Sequence, residues 1–211
     1  MNKGKANKAE LILNLVIVLF MILGTILMFT YQPEEGALNA RGIENFKFYT
    51  VLSNIFCGIV ALIQVIFICI KKNARVLIPF KLAGLCGVTI TFAVVLFFFA
   101  PIYGLLQFYK GGNFFFHLVL PLAAIIEFIV IRREHIPFRH TIYAAIPTVI
   151  YGCFYLGNLL INGIGGPWPD TNDFYGFVNW GYPIGILIFL CIALLAFGVA
   201  CIYRKISNSR K

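Results

Sequence analysis

Residues 113–133 read NFFFHLVLPLAAIIEFIVIRR, an apolar run that contains two ionisable side chains, His117 and Glu127, and ends in two arginines. A membrane-spanning helix needs about 20 predominantly apolar residues, and this run has that length. Ionisable groups inside such a helix are costly to place in lipid, so they point to a functional site. The run therefore predicts a membrane helix with a candidate site around His117.

The composition of the whole chain indicates a polytopic membrane protein. Of its 211 residues, 61% are hydrophobic and 12% are charged, whereas soluble domains have about 25% charged residues. The net charge of +9 comes from short basic clusters between apolar runs, which are typical of topology signals and do not indicate binding to nucleic acid. The six cysteines lie in or beside apolar runs without metal-ligand spacing, so we predict free thiols. With no nucleotide or metal motif either, no cofactor is predicted.

Six apolar runs predict the architecture, an all-α bundle of six transmembrane helices. A short basic tail is predicted at each end, over residues 1–10 and 204–211. The chain is too short to hold a separate soluble domain as well. The predicted helices cover about 11–29, 46–70, 76–100, 113–131, 141–163 and 181–203.

The distribution of basic residues predicts the orientation of the bundle. Fourteen of the 17 Lys and Arg residues fall in the two tails and the even-numbered loop regions, and only Arg41, Lys47 and Lys110 fall on the other side. Basic residues are enriched on the cytoplasmic side of membrane proteins. We therefore expect both termini in the cytoplasm and the odd-numbered loops outside.

This topology places several small polar side chains at the depth of His117. Helices two and four run in the same direction, and Thr50, in the segment FKFYTVLSN at 46–54, lies about one turn below the outer end of its helix, as His117 does. Ser53 and Asn54 follow three and four residues later, which puts them on the same helix face as Thr50. Helix two therefore directs a polar stripe toward the bundle interior.

Further polar groups are expected near the same outer level. The fifth helix brings the Asn158 amide there, and the loop after it contributes Asp170 and Asp173. By contrast, Glu127 lies ten residues after His117, about 15 Å deeper at roughly 1.5 Å per residue. Glu127 therefore cannot orient the imidazole.

Two charged side chains are expected near the cytoplasmic ends of their helices. Lys81 lies close enough to the start of helix three to snorkel toward water. Glu127 lies five residues before Arg132, so snorkelling or pairing with the cytoplasmic arginines is one interpretation. A proton relay is the other interpretation of Glu127.

The order of these features resembles a known membrane-protein family. A six-span chain with FKFYTVLSN at 46–54, an intramembrane His117, Pro121 close behind it and Glu127 ten residues on is similar to the androgen-induced, FAR-17a type and its bacterial Pr6Pr relatives. The resemblance implies an intramembrane hydrolase of fatty-acid esters, with Thr50 as nucleophile and His117 as base. It also implies membrane-lipid partners and a bacterial plasma-membrane location.

The chemistry implied by the resemblance needs further groups. Neutral imidazole can take the proton of a threonine hydroxyl as that hydroxyl attacks an ester. The negative oxygen that forms needs a donor, for which the amides of Asn54 and Asn158 are candidates. The outer acids Asp170 and Asp173 are candidates to orient His117.

Structural and transport interpretations of the same residues stay open. The Thr50 hydroxyl could bond back to a carbonyl one turn earlier, a common habit of threonine in membrane helices. His117 could be an interhelical hydrogen-bond partner, and Ser53 and Asn54 could be packing groups. A small transporter with a path past His117 and Glu127, or a non-catalytic scaffold, are the alternatives from other functional classes.

Overall fold

The computed structural model describes residues 3–30, 42–104, 108–131, 134–167 and 170–209. Over these residues the chain forms six helices that are long and apolar enough to cross a membrane, and no strand. The predicted all-α, six-helix membrane architecture is therefore confirmed, and the orientation of the termini stays a prediction. Arg41 and Arg132, which were used in the sequence analysis, lie outside the described residues.

The six helices follow the predicted apolar runs, with two of them interrupted by a π-helical turn. We number the spans α1 to α6 in chain order. Short 3-10 helices at Gly42–Lys47 and Ala74–Leu77 precede α2 and α3. The spans are α1 Lys3–Thr30, α2 Tyr49–Cys69, α3 Ile78–Val94 with the π turn Val95–Phe99 and Ala100–Tyr103, α4 Gly111–Phe114 with the π turn Phe115–Val119 and Leu120–Ile131, α5 Arg139–Asn162 and α6 Tyr182–Asn208.

Helix α6 extends beyond its predicted end at residue 203, and α1 begins before residue 11. Lysine and arginine are good helix formers, so each helix continues past its apolar run into the basic tail. The end of α6 is also held by side chains, because the Ser207 hydroxyl donates to the Glu134 carbonyl and Asn208 accepts the Ile136 N–H. The basic tails are therefore largely helical.

The bundle is organised around α3, which packs against α2, α4, α5 and α6 and is the most buried span. Helix α1 packs against α2 and α4 on one side. At one end of the bundle the Asn45 amide donates to the Met28 carbonyl. We call this the loop end, and we call the opposite end, where α1 begins and α6 finishes, the terminal end.

Helices α1 and α4 cross closely at two glycines near the loop end. A Cβ atom on Gly112 would lie 2.7 Å from the Gly24 carbonyl oxygen, so the two backbones leave no room for a side chain there. Phe116, which directly precedes His117, packs over Gly24 and is 0% exposed. The crossing therefore fixes the position of the helix turn that contains His117.

Substitution of Gly112 by alanine is expected to destabilise the protein by about 1–3 kcal/mol, because the methyl group would collide with backbone that cannot move aside cheaply. Thermal unfolding of the purified protein in detergent would measure the change. Gly157→Ala is the matched control, since a Cβ atom on this helical glycine has nothing within 4 Å. Equal stability of the two variants would contradict the close crossing.

Candidate active site

An apolar cavity of about 220 Å³ lies near the loop end between α2, α3, α5 and α6. Its outer wall includes Val149, Ile186 and Leu190, whose side chains are 44% to 57% exposed. These residues belong to membrane-spanning helices, so the surface outside the wall faces lipid. The cavity is therefore separated from the lipid-facing surface only by these side chains.

Hydroxyl groups line the side of the cavity that faces α2. The Tyr49 hydroxyl lies 2.7 Å from the Thr148 hydroxyl, and the Tyr49 N–H donates to the Tyr175 hydroxyl oxygen at 2.8 Å. Tyr175 belongs to the loop between α5 and α6, and burial raises the pKa of its hydroxyl to about 12. Tyr175 is therefore neutral near neutral pH and keeps its own hydrogen. The cavity thus has an apolar body and a hydroxyl-rich side.

Thr50 lines this cavity from the first turn of α2, with its side chain partly buried. Thr25, Thr30 and Thr141 each donate to a carbonyl three or four residues earlier, as threonines in helices commonly do. The Thr50 hydroxyl makes no such bond, nor any other hydrogen bond to a described residue. The structural interpretation of Thr50 as a back-bonded hydroxyl therefore does not apply.

His117 is buried in the π turn of α4. Its Nδ1 lies 2.9 Å from the backbone carbonyl oxygen of Phe108. A carbonyl oxygen only accepts, so Nδ1 carries the hydrogen, and in the neutral ring Nε2 is unprotonated. Nε2 makes no hydrogen bond to a described residue. The imidazole is thus held in the tautomer that a general base requires.

Aromatic rings join His117 to the edge of the cavity. The Phe108 ring centroid lies 6.1 Å from that of His117 and 5.9 Å from that of Phe99, on which it stacks. Phe99 lines the cavity, whereas Phe108 and His117 do not. The imidazole is therefore connected to the cavity wall through two aromatic rings.

The Asn54 side chain connects the two predicted catalytic residues. Its Nδ2 donates to the Thr50 carbonyl at 2.7 Å and to the Phe116 carbonyl at 3.0 Å, and Phe116 directly precedes His117. Thr50 and His117 thus lie at one level of neighbouring helices, although no hydrogen bond joins their side chains. Because both amide hydrogens are used, Asn54 cannot be the predicted oxyanion donor in this arrangement.

The other predicted supporting residues have separate structural roles. The Asp173 carboxylate accepts from the Tyr155 hydroxyl at 2.5 Å and from two backbone N–H groups, which fixes the loop before α6. Asn158 accepts from the Asn162 amide, Ser53 bonds to the Thr91 hydroxyl, and Asp170 is exposed. The Phe108 carbonyl, and not an acid, orients His117. Every residue has a backbone carbonyl, so the sequence alone does not identify this one as the partner of His117.

Glu127 forms a buried ion pair near the terminal end of the bundle. Its Oε1 lies 2.6 Å from Lys81 Nζ, and both groups bond to the Asn14 amide. The expectation that Lys81 snorkels to water was wrong, because its side chain is only 10% exposed and points to Glu127. Arg132, the predicted partner, lies outside the described residues. This pair lies well away from the cavity and from His117.

Comparison of the chain with known protein families, with curated proteins and with solved structures gave no match.

Proposed function

We propose that this protein is an intramembrane hydrolase of lipid esters, with Thr50 as the nucleophile and His117 as the base. One observation carries the proposal. The Thr50 hydroxyl lies on the wall of an apolar cavity beside the lipid, and His117 lies at the same level on the neighbouring helix α4. Neither the Thr50 hydroxyl nor His117 Nε2 has a hydrogen-bond partner among the described residues. Lipid esters have the matching chemistry, an apolar chain joined to a polar reacting group.

The acyl chain of the ester occupies the apolar body of the cavity, and its carbonyl lies at the hydroxyl-rich side. Thr50 Oγ1 attacks the carbonyl carbon while His117 Nε2 takes its proton, and the same proton then goes to the departing alcohol. A water molecule, deprotonated by His117, then attacks the acyl carbon, and His117 returns the proton to Thr50 Oγ1 as the bond from Oγ1 to the acyl carbon breaks and the acid leaves. For this transfer Oγ1 and Nε2 approach to about 2.6–3.2 Å, a distance that catalytic groups commonly reach only when substrate is bound.

The developing negative oxygen needs a donor, and Tyr175 takes the place of Asn54 in this proposal. Its hydroxyl accepts the Tyr49 N–H and lines the cavity beside the Tyr151 hydroxyl, with which it also interacts, and its hydrogen turns from Tyr151 to the substrate oxygen in this proposal. A neutral hydroxyl in a water-poor site stabilises an oxyanion more strongly than it would in water.

The test is hydrolysis of a panel of fatty-acid esters by the purified protein in lipid nanodiscs. Thr50→Ala is expected to lower the rate about 1,000-fold or more, since the nucleophile is removed. Thr25→Ala is the matched control, because this threonine bonds to its own helix outside the cavity. Thr50→Ser is expected to keep measurable activity, and a fluorophosphonate lipid should label Thr50, as identified by mass spectrometry. Hydrolysis that persists unchanged in Thr50→Ala would overturn the assignment.

A further inference from the structure

The π turn at His117 follows from the proline four residues after it. The Leu120 N–H donates to the Phe115 carbonyl, five residues back, and so does not reach the Phe116 carbonyl as it would in an α-helix. Pro121 has no N–H, so it cannot supply the π-helical bond to Phe116 either. The Phe116 carbonyl is therefore left without the donor that either helix geometry would give it.

The second π turn supports this account of the cause. The Ala100 N–H donates to the Val95 carbonyl, again five residues back, and Pro101 follows immediately. Both π turns of the described chain thus end two residues before a proline. In α4 a side chain from another helix bonds to the carbonyl that the turn leaves open, whereas in α3 no described side chain does so.

Asn54 supplies the missing donor, although its own side-chain carbonyl oxygen is left without a hydrogen bond to a described residue. Its Nδ2 bonds to the Phe116 carbonyl at 3.0 Å, while its Oδ1 is buried and has no partner among the described residues. Turning the amide over would direct Oδ1 at two carbonyl oxygens, so the observed orientation is fixed. A buried acceptor without a partner is unfavourable, which indicates that the bonds made by Nδ2 outweigh it.

We infer that Asn54 is a positioning residue for His117: it holds the proline-induced π turn of α4 in the geometry that directs the imidazole toward the Phe108 carbonyl. The same amide holds the Thr50 carbonyl, so one side chain sets the relative height of both residues. The catalytic consequence rests on the proposed function, whereas the effect on the imidazole does not.

The experiment uses a protein whose single histidine is His117, made with His135→Gln and His140→Gln, and records the ring nitrogen signals by NMR in detergent. In this protein the signals of one Nδ1–H tautomer are expected. Asn54→Leu should shift these signals or split them into two tautomers, and should lower ester hydrolysis about 10- to 100-fold, as expected for a small misplacement of a catalytic group.

Gln64→Leu is the matched control, because it removes another buried amide from α2, one that bonds to Glu10 near the terminal end. It should leave the His117 signals unchanged. Pro121→Ala provides the rescue, since the new N–H at residue 121 can bond to the Phe116 carbonyl. In that background, Asn54→Leu should have little effect on the signals.

Unchanged ring signals in Asn54→Leu would overturn the inference, whatever the hydrolysis assay gives. If Asn54→Leu alone does not fold, the double variant with Pro121→Ala decides. A folded double variant whose His117 signals match those of Pro121→Ala alone supports the role of Asn54, and an unfolded one, or one whose signals differ from those of Pro121→Ala, contradicts it. Absence of ester hydrolysis in the parent would count against the proposed function alone, because the ring signals report on Asn54 independently.

Discussion

Replacement of His117 by asparagine is expected to lower ester hydrolysis about 100- to 10,000-fold, the usual contribution of a general base, while stability changes little. The asparagine Nδ2 takes nearly the position of the imidazole Nδ1, so it can still donate to the Phe108 carbonyl. It has no basic nitrogen in place of Nε2. The asparagine variant therefore keeps the hydrogen-bonding role of His117 and removes only the role of base.

His117→Leu provides the comparison, because it removes both roles. Its hydrolysis should be as low as that of the asparagine variant, and its thermal unfolding midpoint should also fall, since the Phe108 carbonyl loses its donor. Hydrolysis rates and unfolding midpoints of both variants would be measured in the same detergent or nanodisc preparation. Parent-like hydrolysis by His117→Asn would leave His117 as a structural hydrogen-bond partner only.

The six-helix architecture could be predicted from sequence because bilayer thickness imposes one length on every apolar run. The helix ends were harder to predict, since lysine-rich tails such as the one before residue 11 continue the helix into water. The common depth of Thr50 and His117 could also be predicted, because counting residues from the ends of two parallel spans gives depth directly.

Contacts set by backbone geometry could not be predicted in the same way. The Phe108 carbonyl that orients His117 comes from a turn before α4, and no side chain marks it. The π turn did leave a signal, Pro121, but the resulting open carbonyl and its bond to Asn54 depend on how α2 packs against α4. Candidate residues for the chemistry can thus be predicted from the sequence, whereas the groups that position them cannot.

The ion pair of Lys81 and Glu127 could have been found by the same depth argument. Lys81 lies about one turn after the start of α3 at the terminal end, and Glu127 lies about one turn before the end of α4 at that end. Opposite charges at one depth on neighbouring helices are natural partners. Glu127 was instead assigned to Arg132 because the two residues are close in the sequence. In a helix bundle, however, the depth of two residues in the membrane decides whether they can pair.

Substitution of Lys81 by methionine is expected to lower the free energy of unfolding by about 3–5 kcal/mol, because it leaves the Glu127 carboxylate buried without its cation. Glu127→Met should have an effect of similar size by the reverse argument. Chemical denaturation in mixed micelles would measure both changes. Lys205→Met, on the exposed surface near the terminal end, is the control and should stay within about 0.5 kcal/mol of the parent.

The double variant Lys81→Met/Glu127→Met distinguishes a buried ion pair from two independent packing residues. If the charges stabilise each other, removing both should recover most of the loss, because two apolar side chains in the interior of the bundle leave no charge uncompensated. If the two losses instead add, the side chains act separately and the 2.6 Å contact contributes little. Since the pair lies far from the cavity, the folded double variant should hydrolyse esters at the parent rate, and a large loss of activity would show that the two sites are coupled.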